Sequence, residues 1–243
     1  TKATWDNYAC LAPVTAERMR LKDGDVVRLQ TPGAAIEVPV LIQPGQHEKV
    51  VAVALGYGRA VSARFSNAGP QWIYRRPTLD PNGKVGVNAS SLLRMDNGTI
   101  RYWSNDVKLL PTGKHQPVSV TQGHYSLTVP KRLDSGGSPR PIVQETTLQE
   151  FRSGDARQGN AHPEQEIDLW PDDHPFTGHR WAMAVDLNAC TGCSACMIAC
   201  QVENNIPVTG KDEVMRNREM HWLRIDRYYS GLPGDVEVVH QPM

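Results

Sequence analysis

Four cysteines, Cys190, Cys193, Cys196 and Cys200, fall within the eleven residues CTGCSACMIAC, spaced C-x2-C-x2-C-x3-C. No other feature limits so strongly what this chain can fold into. The spacing is the one expected for a cubane iron–sulfur site. Two-residue gaps let a tight loop wrap three thiolates around one face of the cube, with backbone N–H groups turned toward the sulfurs. The fourth cysteine lies one helical turn beyond the third, and in two-cluster proteins it ligates the other cluster.

The set is incomplete. Three cysteines do not finish a four-iron cube, and Cys200 alone does not hold a second one. The remaining cysteine, Cys10, lies 180 residues upstream in a different kind of sequence. Further ligands are therefore expected from another chain or from the rest of a longer polypeptide. The ends favour the second, since the chain opens at Thr1 and stops at His240-Gln241-Pro242-Met243 with no structural punctuation.

A chain of 243 residues supports one large or two modest domains. With 20 Gly and 18 Pro, short strands and irregular connections are favoured over long helices. The longest notable apolar run, Val50 to Leu55, is far short of the roughly 18–20 residues of a membrane helix. Membrane association is thus expected through partners. Net charge is zero, yet residues 1–130 carry 15 Lys and Arg against 9 Asp and Glu, while residues 131–178 carry 5 against 9. The acidic stretch either lies on the basic one or is simply solvated surface. Basic residues are scattered without an aromatic platform, so no nucleic-acid partner is expected.

Residues 18–55 read as β structure. Asp23-Gly24-Asp25 turns into Val26-Val27-Arg28-Leu29, and Pro32-Gly33 marks a hairpin. Ile36, Val38, Val40 and Ile42 alternate onto one face. Val50 to Leu55 is apolar on both faces and is expected to be a buried central strand. Short strands separated by Gly and Pro argue for a barrel. Residues 131–178, with Ser135-Gly136-Gly137-Ser138-Pro139, read as a linker or wrapping arm, with a helix suggested over Thr146 to Arg152. Beyond it, Trp181 to Asp186 reads as a strand feeding the cysteine loop. Ser194 to Asn204 reads as a short helix carrying Cys196 and Cys200, and His221 to Tyr228 as a second, strictly alternating strand.

The segment Trp181–Tyr229, through Asp186-Leu187-Asn188-Ala189, the cysteine run and Glu203-Asn204, resembles electron-transfer subunits of the molybdopterin oxidoreductase superfamily. Those subunits hold four clusters on four cysteine motifs, and this chain looks like the first motif. Leu11-Ala12-Pro13-Val14-Thr15-Ala16, Leu21 to Leu29 and Val87-Asn88-Ala89 look like the C-terminal domain of molybdopterin-dinucleotide-binding catalytic subunits, a double-psi β-barrel. The fusion of the two, with the run Met220 to Tyr229, is similar to the iron–sulfur B subunit of alternative complex III, a quinol:electron-acceptor oxidoreductase of respiratory and photosynthetic bacteria.

The resemblance implies a mainly β chain in three parts. Residues 1–130 would be a molybdopterin-dinucleotide-binding-like barrel without its cofactor, 131–178 the arm, and 179–243 the start of a ferredoxin-like α+β iron–sulfur domain. It implies that Cys190, Cys193 and Cys196 ligate one [4Fe–4S] cluster, completed by a cysteine from elsewhere, and that Cys200 ligates a neighbouring one. It leaves open a three-iron cluster elsewhere in the full subunit. The implied partners are a quinol-binding integral membrane subunit, multihaem cytochrome c subunits and the remaining part of the same iron–sulfur subunit. The implied location is the periplasmic side of the bacterial inner membrane, peripheral and held by those partners.

Each residue also has a plainer reading. Zinc usually takes two separated C-x2-4-C knuckles rather than four cysteines crowded together. Cys196 and Cys200 are i,i+4 neighbours, so geometry alone does not separate their destinations. Thr191, Gly192, Ser194 and Ala195 are small, letting backbone approach the sulfurs. Cys10 reads as a small buried hydrophobe, and Gly56-Tyr57-Gly58-Arg59 as a strand-ending turn rather than a phosphate loop. His115, His124, His174, His179 and His221 lack a haem-attachment motif and read as structural, and Trp222, Tyr228 and Tyr229 as core or interface aromatics. The sequence thus points to a non-catalytic electron conduit. The rivals are a piece of an active molybdenum oxidoreductase fused to its electron-transfer module, and a zinc-stabilised interaction module.

Overall fold

The computed structural model describes residues 3, 5–60, 82–121, 124–126, 146–154, 177–179, 181–207, 209–218, 221–232 and 235–242. The chain divides into two compact units, residues 1–126 together with 187–243, and residues 127–186. Most of the expected arm, with its Ser135–Pro139 stretch, lies outside the described residues.

In the first unit, a four-stranded sheet has the order β1-β3-β2-β6, formed by β1 (Ala9–Leu11), β2 (Asp25–Thr31), β3 (Ala34–Ile42) and β6 (Lys108–His115). It is mixed: β1 runs parallel to β3, while β2 pairs antiparallel with both β3 and β6. The β2–β3 hairpin turns at Pro32-Gly33 and sets Val27 opposite Val38 and Leu29 opposite Ile36. Those pairs share one face because successive strand residues point to opposite sides. With Val40, Leu11, Ala16 and Leu21 they form the core. Burying each large side chain there contributes about 1.5–3 kcal/mol relative to leaving it exposed. The expected face of Ile36, Val38, Val40 and Ile42 is therefore the core face.

The turn before β2 is built as its residues suggest. Asp25 Oδ2 accepts from the Lys22 N–H at 2.8 Å, and Asp23 Oδ1 accepts from the Ile42 N–H at 2.6 Å. The helix α1 (Pro13–Met19) opens on a proline at its first position, where no hydrogen bond is lost. Asn7 staples the loops beside it: its side chain donates to the carbonyls of Ala54 and Val87 and accepts from the Val87 N–H.

Val50 to Leu55 is not a central strand. It meets β1 through a single bridge, Cys10 to Ala52. Val51 and Val53 lean on the core while Val50 and Leu55 face outward. The segment is half-buried against an edge, a state that an unbroken apolar run does not distinguish from central burial. Gly56 and Gly58 both take left-handed φ in the following turn, and Arg59 bridges Val85. Beyond it, β4 (Arg94–Asp96) and β5 (Thr99–Arg101) make a separate exposed hairpin.

A second sheet in this unit has the order β7 (His124–Ser126), β8 (Ile225–Leu232), β9 (Asp235–Pro242), with β7 parallel and β9 antiparallel to β8. The strand expected over His221 to Tyr228 thus begins at Ile225 and runs on to Leu232. Its alternation is not strict, since the consecutive residues Tyr228 and Tyr229 are both buried. Neighbours on a strand face opposite ways, so β8 is covered on both sides there.

In the second unit, the expected helix is present as α2 (Leu148–Ser153). Thr147 and Glu150 form a reciprocal capping box, and Gly154 ends the helix in the left-handed region. Residues 181–186 form no ladder with any described strand, and Trp181 is 94% exposed. The strand expected there is absent: residues 181–186 have no regular secondary structure.

Candidate metal centre

The cysteine run belongs to the first unit. A turn over 187–189 leads to Cys190, and the chain then bends sharply on both sides of Cys193, with φ of +66° at Gly192 and again at Ser194. Glycine takes this conformation freely, but for serine it costs on the order of 1–2 kcal/mol. The helix α3 (Ala195–Glu203) follows directly and carries Cys196 and Cys200 one turn apart. The expected helix over Ser194 to Asn204 is thus present, with Ser194 and Asn204 as its two caps.

Cys190 and Cys200 are half-buried, Cys193 and Cys196 are exposed, and none of the five cysteines is in a disulfide. Among the described residues, no three His, Cys, Asp or Glu side chains are gathered tightly enough to hold a single metal ion. A cubane cluster makes a different demand, since it is held at its corners by thiolates that ring it. The chemistry of the donor set fits that group: Cys190 and Cys193 on a loop with two left-handed bends, Cys196 in the first turn of α3 and Cys200 one turn further on.

Two interactions on α3 were not legible beforehand. Asn204 donates to the Cys200 carbonyl at 3.0 Å and points the same amide at Cys200 Sγ, 3.6 Å away. Gln201 Nε2 and His221 Nδ1 are 2.7 Å apart, tying α3 to the segment before β8. An asparagine directly after an apolar helix was the only available signal for the first.

Ser194 is the third such finding. Serine at a helix N-terminus ordinarily caps with its hydroxyl. Here its left-handed backbone leaves it without a side-chain capping bond, although its carbonyl accepts from the Ile198 N–H at 3.1 Å. Its side chain is buried, and among the described residues the Oγ has no hydrogen-bond partner.

The outer face of this region is apolar and exposed. Ile198 and Val202 lie one turn apart on α3, and Leu187 and Trp222 are also exposed. Among the described residues, no helix is long and apolar enough to cross a membrane.

The next helix, α4 (Lys211–Met215), anchors this segment. Lys211 Nζ donates to Asp6 Oδ2, and Ser119 Oγ donates to the Lys211 carbonyl. Gln116 Nε2 holds the other Asp6 oxygen at 2.9 Å. Cys10 lies apart from the run, buried as expected, with its thiol near Gln46 Oε1 and pushed up by burial. Tyr228 and Tyr229 are core residues, whereas Trp222 is exposed.

No family model matches the chain. Over 54 residues it is 43% identical to the iron–sulfur cluster-binding subunit of menaquinone reductase from Nitratidesulfovibrio vulgaris. The matched stretch is 22% of this chain, and the chain spans about a fifth of the length of that curated relative.

Proposed function

We propose that this chain is part of an iron–sulfur electron-transfer subunit in a membrane-bound, quinone-linked oxidoreductase. The observation that carries the reading is the four-cysteine run, two thiols on a twice-bent loop and two one turn apart on α3. Similarity to an iron–sulfur subunit of a menaquinone reductase supports both the cluster and the quinone link.

In this reading Cys190, Cys193 and Cys196 hold one [4Fe–4S] cluster, and Cys200 contributes to a neighbouring one. Such a cluster, when bound, passes single electrons at a potential set by hydrogen bonds, charge and solvent exposure. The chain's own residues orient the thiolates: Gly192 permits the bend before Cys193, α3 fixes Cys196 relative to Cys200, and Asn204 lies against the Cys200 sulfur. The exposed Ile198, Val202 and Leu187 suit cover by the rest of the same subunit, which supplies the missing cysteines.

The finer reading is the B subunit of alternative complex III. Residues 1–130 are then a double-psi barrel with a scaffolding role and no molybdopterin, and residues 179–243 open a ferredoxin-like domain. A quinol-binding membrane subunit and multihaem cytochromes c are the partners, on the periplasmic face of the inner membrane.

The test is iron, acid-labile sulfide, molybdenum and zinc per complex, on the assembly purified from its source. Iron and sulfide for several clusters with no molybdenum is the expected result. Zinc without sulfide overturns the cluster reading, and stoichiometric molybdenum replaces the scaffold with a working pterin domain.

A further inference from the structure

Ser194 concentrates two local costs at the centre of the cysteine run. Its backbone is left-handed, with φ of +66°, a region that is unfavourable for a residue with a Cβ. Its hydroxyl is buried, the residue being 3% exposed, and has no hydrogen-bond partner among the described residues. Burying a polar group without a partner is unfavourable. Strain and an orphaned donor at one residue are features that functional sites retain.

The usual remedy was at hand and is not taken. A serine at this position with an extended backbone would cap α3 with its hydroxyl, and instead its conformation leaves that bond unmade. The hydroxyl is thus left without a partner among the described residues. In the sequence Ser194 comes one residue after Cys193 and two before Cys196.

We infer that the Ser194 hydroxyl donates a hydrogen bond to a sulfur of the cluster held by Cys190, Cys193 and Cys196, and so raises that cluster's reduction potential. The inference rests on the proposed cluster function. A donor aimed at a cluster sulfur stabilises the reduced state, which carries one more negative charge. Ser194 is thus a tuning residue that neither ligates iron nor reacts.

The experiment uses the complete subunit in its complex, as wild type and as Ser194→Ala and Ser194→Gly. Both variants remove the hydroxyl, but Gly also relieves the left-handed strain, which separates the hydrogen bond from the backbone. Iron and sulfide are measured first. Redox titration followed by EPR then gives each cluster's midpoint potential, and resonance Raman in H2O and D2O reports hydrogen bonding to sulfur. The expected result is full iron and sulfide in all three proteins. One cluster signal moves to lower potential in both variants, and its deuterium-sensitive iron–sulfur stretch is lost.

Unchanged potentials and isotope shifts with clusters present overturn the inference and leave the cluster reading intact; the hydroxyl then bonds a water. A shift in Ser194→Gly alone overturns it too, since relief of the backbone strain is then the cause. Wild-type protein without iron and sulfide overturns the proposed function itself.

Discussion

Lys211 Nζ lies 2.5 Å from Asp6 Oδ2, with the two side chains 1% and 4% exposed, so that one buried ion pair joins positions 205 residues apart. It fastens the segment carrying the cysteines to the strand-rich part of the same unit. A buried pair is favourable only when its remaining polar atoms are also satisfied. Gln116 does this for Asp6, and Ser119 holds the Lys211 backbone.

Breaking the pair from one side should therefore be worse than removing it altogether. Lys211→Met or Asp6→Leu alone leaves an uncompensated buried charge and should cost about 3–5 kcal/mol. The double variant should recover a large part of that loss. Urea denaturation of the three variants against wild type measures it in a double-mutant cycle. Additive losses would show that the two residues stabilise the fold independently.

Gly58 should tolerate no side chain. Its φ is +85°, and an added Cβ would stand 2.6 Å from the Asn88 backbone nitrogen. Gly58→Ala should destabilise by about 2 kcal/mol or more from left-handed strain and the clash together. Gly33, at the β2–β3 turn, has nothing within 4 Å of an added Cβ and no left-handed φ. Gly33→Ala should then be neutral or stabilise by about 0.5 kcal/mol. Thermal melts of both variants decide, and equal losses would contradict the argument.

Asp25 supplies a pH dependence. The Lys22 N–H, and after it the His115 ring at 3.3 Å, hold its carboxyl below the usual carboxylate range. A depressed folded value means the stabilisation is fully present above the ordinary value of about 3.9 and is lost as pH falls through the folded value. Asp25→Asn removes the ionisation, so its stability deficit against wild type should shrink on acidification. Denaturation midpoints measured from about pH 6 to about pH 2 test this. A deficit that stays constant would mean the carboxylate's charge contributes nothing.

What could be read beforehand followed the range of the interaction. Val27, Leu29, Ile36, Val38 and Val40 alternate in the sequence, and the period itself places them on the core face. Cys196 and Cys200 fall on one helix because apolar residues and a capping position surround them. The Asp6–Lys211 pair has no local signature, since neither residue's neighbours announce a partner so far along the chain. Trp181 to Asp186 has the pattern of a strand, yet it forms none, because a strand is completed by pairing that its own pattern does not supply. Ser194 reads in the sequence only as a small residue beside the sulfurs at the start of the helix, and the left-handed backbone that leaves its hydroxyl without a capping bond is not legible there.

The cysteines themselves allow the sharpest division. If Cys190, Cys193 and Cys196 serve one cluster and Cys200 a neighbour, their loss should not be equivalent. Cys193→Ser in the complete complex should abolish or convert one EPR signal, leaving the rest in place. Cys200→Ser should affect a different one, because a serine oxygen is a poorer ligand for cluster iron than a thiolate. Asn204→Leu should act on the same signal as Cys200→Ser and more weakly, since its amide faces Cys200 Sγ from 3.6 Å without ligating. Spectra of the three variants at fixed potentials separate these outcomes. If Cys193→Ser and Cys200→Ser remove the same single signal, all four thiols close around one cluster, and the run is a complete site rather than a share of two.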